Sequence, residues 1–66
     1  MKISVNGEIR EVPEDLTVLG LLGFLGVVPG RVAVELNAAV VPKAEHPNRV
    51  VREGDVVEVV AFVGGG

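Results

Sequence analysis

The sequence predicts an α+β roll, a mixed sheet of four to five short strands with one main helix laid across a face. Three observations lead there. The 66 residues are 48% hydrophobic but only 3% aromatic, which suits a small sheet of branched aliphatic side chains covered by a helix. Apolar residues recur at helical spacing in one stretch only, Val18, Leu21, Leu22 and Leu25, while elsewhere they run in short segments bounded by turn dipeptides. With no cysteine and a single histidine, no disulfide or zinc site can staple the chain, so stability must come from packing in one domain.

In chain order, Met1, Ile3 and Val5 alternate with Lys2 and Ser4 as a half-buried strand, and Asn6-Gly7 supplies the positive φ angles of a type I′ hairpin turn. The return strand spans Glu8 to Val12. Its apolar residues, Ile9 and Val12, break strict alternation, so a bulge is expected before Pro13. Thr17 caps the helix and Gly26 stops it. Gly20 and Gly23 fall on the helix face opposite the apolar stripe, each at a cost of roughly 1 kcal/mol relative to alanine. Val32, Val34 and Leu36 point inward from a third strand, Asn37 opens a turn, and Val40-Val41 form a short fourth strand stopped by Pro42. Lys43 to Pro47 has room for a loop or one helical turn, with His46 expected to be exposed. Arg49 to Val51 is expected as an edge segment, and Glu53-Gly54-Asp55 turns the chain into a last strand from Val56 to Phe62. The pairing of the first and last strands is not fixed by these patterns.

The same composition removes several function classes. A net charge of −3 disfavours a nucleic-acid backbone binder. The apolar stretch from Leu16 to Pro29 is too short to span a bilayer, and the acidic flank Glu14-Asp15 is unlike a signal peptide, so a cytoplasmic location is expected. One serine, one threonine and one histidine do not assemble a nucleophile, base and orienting group. The spacing of Gly20, Gly23 and Gly26 does not match a dinucleotide fingerprint, and no phosphate loop is present. Glu14 and Asp15 are expected to favour a helix dipole rather than act as an acid–base pair. The chain reads as no enzyme of its own, with no bound cofactor or metal.

What remains is the C-terminal segment. The last strand runs into Gly64-Gly65-Gly66. Glycines thread a channel too narrow for side chains, and three of them reach roughly 10 Å. Domain 1–63 is thus expected to present a tail, 64–66, whose Gly66 carboxylate another protein works on. In the last strand, Val57, Val59 and Ala61 share one face, and Glu58, Val60 and Phe62 share the other.

Glu35-Leu36-Asn37, Val41-Pro42, Glu53-Gly54-Asp55, Val57-Glu58-Val59-Val60 and Phe62-Val63-Gly64-Gly65-Gly66, taken together, resemble the ThiS family of sulfur carriers for the thiazole of thiamin. The resemblance covers the whole chain. It implies a β-grasp, ubiquitin-like fold and a carrier that is modified by its partners. An adenylating enzyme resembling ThiF would use ATP to activate Gly66, a persulfide donor would supply sulfur to form a thiocarboxylate, and a ThiG-like thiazole synthase would receive it. Gly64 and Gly65 would thread the partner's active site, and Glu58, Val60, Phe62 and Val63 would form the docking patch. The alternative for Val60 and Phe62 is a place in the core. The chain departs from the family pattern at Gly20 and Gly23, where polar residues are usual, and at His46, where an aromatic is frequent. Carriers for molybdopterin synthesis or transfer-RNA thiolation, a ubiquitin-like conjugating protein and a non-covalent β-grasp binding module stay open as alternatives.

Overall fold

A computed structural model describes residues 1–62. Val63, Gly64, Gly65 and Gly66, and with them the expected tail, lie outside the described residues.

Five strands form one sheet in the order β2-β1-β5-β3-β4, where β1 is Lys2–Val5, β2 Glu8–Glu11, β3 Val32–Leu36, β4 Ala39–Val41 and β5 Val56–Ala61. The helix α1, Val18–Leu25, connects β2 to β3. Two antiparallel hairpins, β1–β2 and β3–β4, flank β5, which runs parallel to β1 (Ser4↔Val56, Val5↔Val57) and antiparallel to β3 over five register pairs from Val32↔Ala61 to Leu36↔Val57. The strand pairing left open by the sequence is therefore parallel.

The return strand has no bulge before Pro13. The β1–β2 register is unbroken from Val5↔Glu8 to Lys2↔Glu11, and hydrogen bonds from Val12 N to Met1 O (2.8 Å) and from Met1 N to Val12 O (2.7 Å) continue it. Regular alternation holds because Ile9 points outward opposite Ser4 and is exposed, whereas Val12 is buried.

Thr17 caps α1 as its composition predicts, its hydroxyl accepting from Gly20 N at 3.1 Å, and Gly26 ends the helix with φ at 76°. Val18, Leu21 and Leu22 are fully buried against the sheet. They join Ile3, Val5, Val12, Val32, Val34, Leu36, Val41, Val51 and Val57 in one core, with Leu25 and Val59 partly buried at its margin. Glu14 and Asp15 precede the cap, and the first turn of the helix contains no acidic residue, so the expected support of the dipole is not made. Arg49 to Val51 adds no edge strand. It makes a single bridge, Thr17↔Val50, that ties the loop to the start of α1.

His46 is buried, contrary to its expected exposure, with 3% of its surface accessible. It follows a single helical turn, Lys43–Glu45, and its ring meets the Val41 carbonyl at 3.1 Å through Nε2. A carbonyl only accepts, so Nε2 carries the proton. The backbone carbonyl of His46 also accepts from Leu19 N at 2.9 Å. This residue thus joins the β4 edge to α1.

The two hairpin turns solve the same problem differently. Asn6-Gly7 has φ angles of 51° and 84°, and Asn37-Ala38 has 53° and 70°. Ala38 carries a Cβ where the left-handed conformation costs about 1–2 kcal/mol. Gly23, in contrast, has ordinary helical geometry, and a Cβ built there meets nothing within 4 Å. Ala38→Gly should therefore stabilise the chain by about 1 kcal/mol by relieving strain, and Gly23→Ala by about the same through helix propensity. Urea unfolding measures both, and a destabilising effect of either substitution would contradict these local readings.

Candidate functional site

The site is built on β5, because this strand leads out of the sheet centre toward the glycines. Its position is held from both sides. Asn6, at the end of β1, accepts from Val59 N through Oδ1 (2.7 Å) and donates to Val59 O through Nδ2 (3.2 Å). Asn37, at the end of β3, accepts from Val56 N through Oδ1 (2.9 Å), and its backbone N donates to Val56 O (2.7 Å). Asn37 Nδ2 also reaches Asp55 Oδ1 at 3.1 Å. Beyond the strand, Phe62 N donates to Arg31 O at 3.0 Å, so the residue just before β3 still holds the chain at the last described residue.

The two faces of β5 separate as the period-two reading requires. Val57 is completely buried under α1 and Val59 is half-buried. Glu58, Val60 and Phe62 are exposed, Val60 by 58% and Phe62 by 61%. The core alternative for Val60 and Phe62 is thus excluded. The other expected site residues, Val63, Gly64, Gly65 and Gly66, lie outside the described residues.

The exposed face is wider than the sequence suggested. The outward residues Ile9, Val40 and Val56 are exposed as well, and Glu35 stands opposite Glu58 across β3 and β5. Val40 faces outward beside Glu35. Their alternation was readable, but which strands lie side by side depends on long-range pairing. A cleft of about 160 Å³ opens beside Phe62, between β4 and His46, and a second of about 230 Å³ lies near Met1, Glu14 and Arg52. Among the described residues no group of His, Asp or Glu could hold a metal ion, and no helix is long and apolar enough to cross a membrane. What the described residues present here is an exposed, largely apolar sheet face.

Topology and exposed sheet face together define a β-grasp unit. The solved structure of the thiamine biosynthesis protein ThiS from Geobacter metallireducens has the same fold, with a TM-score of 0.87 and 39% identity over the whole of both chains. The ThiS family model matches residues 3–66, and the chain belongs to that family. It is 45% identical over 62 residues to the sulfur carrier protein ThiS of Thermus thermophilus, covering 94% of this chain and 95% of that one. It is also 48% identical over 66 residues to a thiazole synthase of Paramagnetospirillum magneticum, covering all of this chain and 20% of that protein. The chain thus spans about a fifth of the length of the thiazole synthases it matches.

Exposure sets the expected response to charge. Val60→Asp and Phe62→Asp should each change unfolding free energy by no more than about 0.5 kcal/mol, because each new carboxylate stays hydrated. Val57→Asp should abolish cooperative folding, because it places a charge in the core. Circular dichroism melts distinguish these cases, and unfolding of the Val60 or Phe62 variant would contradict the assigned face.

Proposed function

We propose that this chain is a sulfur carrier for assembly of the thiamin thiazole, with Gly66 as the atom-bearing end. The observation that carries this reading is the family match through residue 66, supported by the exposed, apolar face of the strand that leads to the glycines. The chain supplies no catalytic group. It is a protein cosubstrate that enzymes recognise and modify.

A free carboxylate is a poor electrophile, since resonance and negative charge resist attack. In the proposed sequence, a ThiF-like enzyme joins the Gly66 carboxylate to the α-phosphate of ATP and releases pyrophosphate. A persulfide sulfur then attacks the acyl-adenylate carbonyl, and AMP leaves. A thiol cleaves the resulting sulfur–sulfur bond, forms a disulfide with the donor and frees the thiocarboxylate on Gly66. The sulfur is more nucleophilic than the oxygen it replaces, so a ThiG-like thiazole synthase can accept it. Gly64 and Gly65 thread the partner's channel, while Glu58, Val60, Phe62 and Val63 dock the domain outside it. ATP is a substrate of the activating enzyme, and no cofactor is assigned to the carrier. The reading favours thiamin over molybdopterin or transfer-RNA thiolation because the relatives matched over 94% and all of this chain are named as ThiS and thiazole synthase.

Intact-mass measurement tests the carrier directly. The chain is incubated with ATP, the host's adenylating enzyme, a persulfide donor and a thiol, beside a chain lacking Gly66. Exchange of one oxygen for sulfur in the full-length chain alone is expected. An unchanged mass, with the activating enzyme competent on another carrier, would overturn the proposal.

A further inference from the structure

The two hairpin tips share a geometry, but the second residue of one lacks the Cβ that the other carries. An asparagine with positive φ is followed at each tip by another residue with positive φ, Asn6-Gly7 at 51° and 84° and Asn37-Ala38 at 53° and 70°. Both pairs are exposed. Both asparagine amides are hydrogen-bonded, Asn6 to Val59 and Asn37 to Val56 and Asp55. A carboxamide in this position is open to attack by the backbone nitrogen of the next residue, one source of the thermal lability of asparagine. A side chain on that next residue crowds the nitrogen and restricts the rotation that brings it to Cγ, whereas glycine does neither. Gly7 N donates no hydrogen bond among the described residues. Apart from its chain neighbours, no heavy atom lies within 4 Å of the place a Cβ of Gly7 would take.

We propose that Asn6 is a site of spontaneous deamidation, and that its conversion unfastens β5 at Val59. Once Gly7 N has given its proton to a base, it bonds to Cγ of Asn6. The Cγ–Nδ2 bond breaks, and the departing amide nitrogen takes a proton from water and leaves as ammonia, closing a cyclic succinimide. Water then opens the ring at either carbonyl, giving aspartate with the original main chain or isoaspartate with one extra main-chain carbon. Either product has a carboxylate in place of the amide, and a carboxylate only accepts hydrogen bonds. Val59 O thereby loses its donor at 3.2 Å and meets a negative charge instead. The same clamp gates the reaction. The Asn6 amide must leave Val59 before Gly7 N reaches Cγ, so the folded chain reacts through local opening and more slowly than the unfolded chain. Ala38 protects the opposite tip, at the cost of a strained backbone. The chemistry belongs to the domain whether or not Gly66 carries sulfur.

Peptide mass analysis of the full chain, held warm at mildly alkaline pH, tests the proposal. A gain of about one dalton should accumulate at Asn6 about tenfold faster than at Asn37 or Asn48 in the same sample, and faster still in urea. Gly7→Ala, which places at φ 84° the residue type that Ala38 carries at 70°, should slow conversion of Asn6 about tenfold. Ala38→Gly, which relieves strain, should speed conversion of Asn37 by a similar factor. The converted chain carries one more negative charge and is separated by ion exchange, and its Val59 amide should exchange hydrogen about tenfold faster than in the parent while Val57 is unchanged. Conversion of Asn6 no faster than that of Asn37, or no response of Asn37 to Ala38→Gly, would overturn the assigned site. Equal rates in urea and in the folded chain would overturn the gating, and unchanged Val59 exchange in the converted chain would overturn the unfastening.

Discussion

The structure depends on holding β5 between two hairpins that come from opposite ends of the sequence. Its pairing with β1 is short, only Ser4↔Val56 and Val5↔Val57, because β1 turns away at Asn6. The Asn6 amide takes over from the departing backbone, presenting one donor and one acceptor to Val59 as a strand peptide would. Asn37 uses its side-chain oxygen and backbone nitrogen in the same manner on Val56. Each asparagine has two tasks: it adopts the positive φ of a tight turn, and it extends a ladder the turn would otherwise end. Unpaired amide and carbonyl groups on a central strand carry a desolvation cost, which these side chains remove.

Fixing β5 also fixes the assignment of its faces. One face contributes Val57 to the core beneath Val18, Leu21 and Leu22, and the other leaves Val60 and Phe62 in solvent. The helix is indispensable to this division although its own sequence is weak. Its two central glycines cost propensity, and Thr17, Gly26 and the buried apolar stripe offset that cost. The result is a domain whose core is on one side of the sheet and whose unpartnered apolar surface is on the other. In the proposed carrier role, that separation would leave the residues that fold the domain clear of the face a partner grips.

Much of this was legible because it is local. Asn6-Gly7, Thr17, Gly26 and the alternation through Val32, Val34 and Leu36 each declare their geometry within a few residues. The parallel pairing of β1 with β5 joins segments more than fifty residues apart, and no local pattern specifies it. The expected bulge before Pro13 is absent for a related reason: Ile9 belongs to the same outer face as Val60 and Val12 to the core, so the strand alternates without an extra residue. His46, expected to be exposed in its loop, is buried, and a hydrogen bond to Val41 lets a histidine occupy a position where the family resemblance indicates a frequent aromatic. At the candidate site, the period of two identified Glu58, Val60 and Phe62. It could not bring Glu35 opposite Glu58, since that requires the register of two strands.

Native-state hydrogen exchange at the β5 amides addresses this central constraint most directly. If the strand is held from both sides, Val57 and Val59 will exchange only through global unfolding, although the Val59 amide is bonded to a side chain rather than to another strand. In Asn6→Ala, Val59 will then exchange by local opening while Val57 stays protected. Exchange of Val59 in the parent at the rate of the exposed β2 edge would contradict the account, because the strand that carries the exposed face would then lack the fixed base assigned to it.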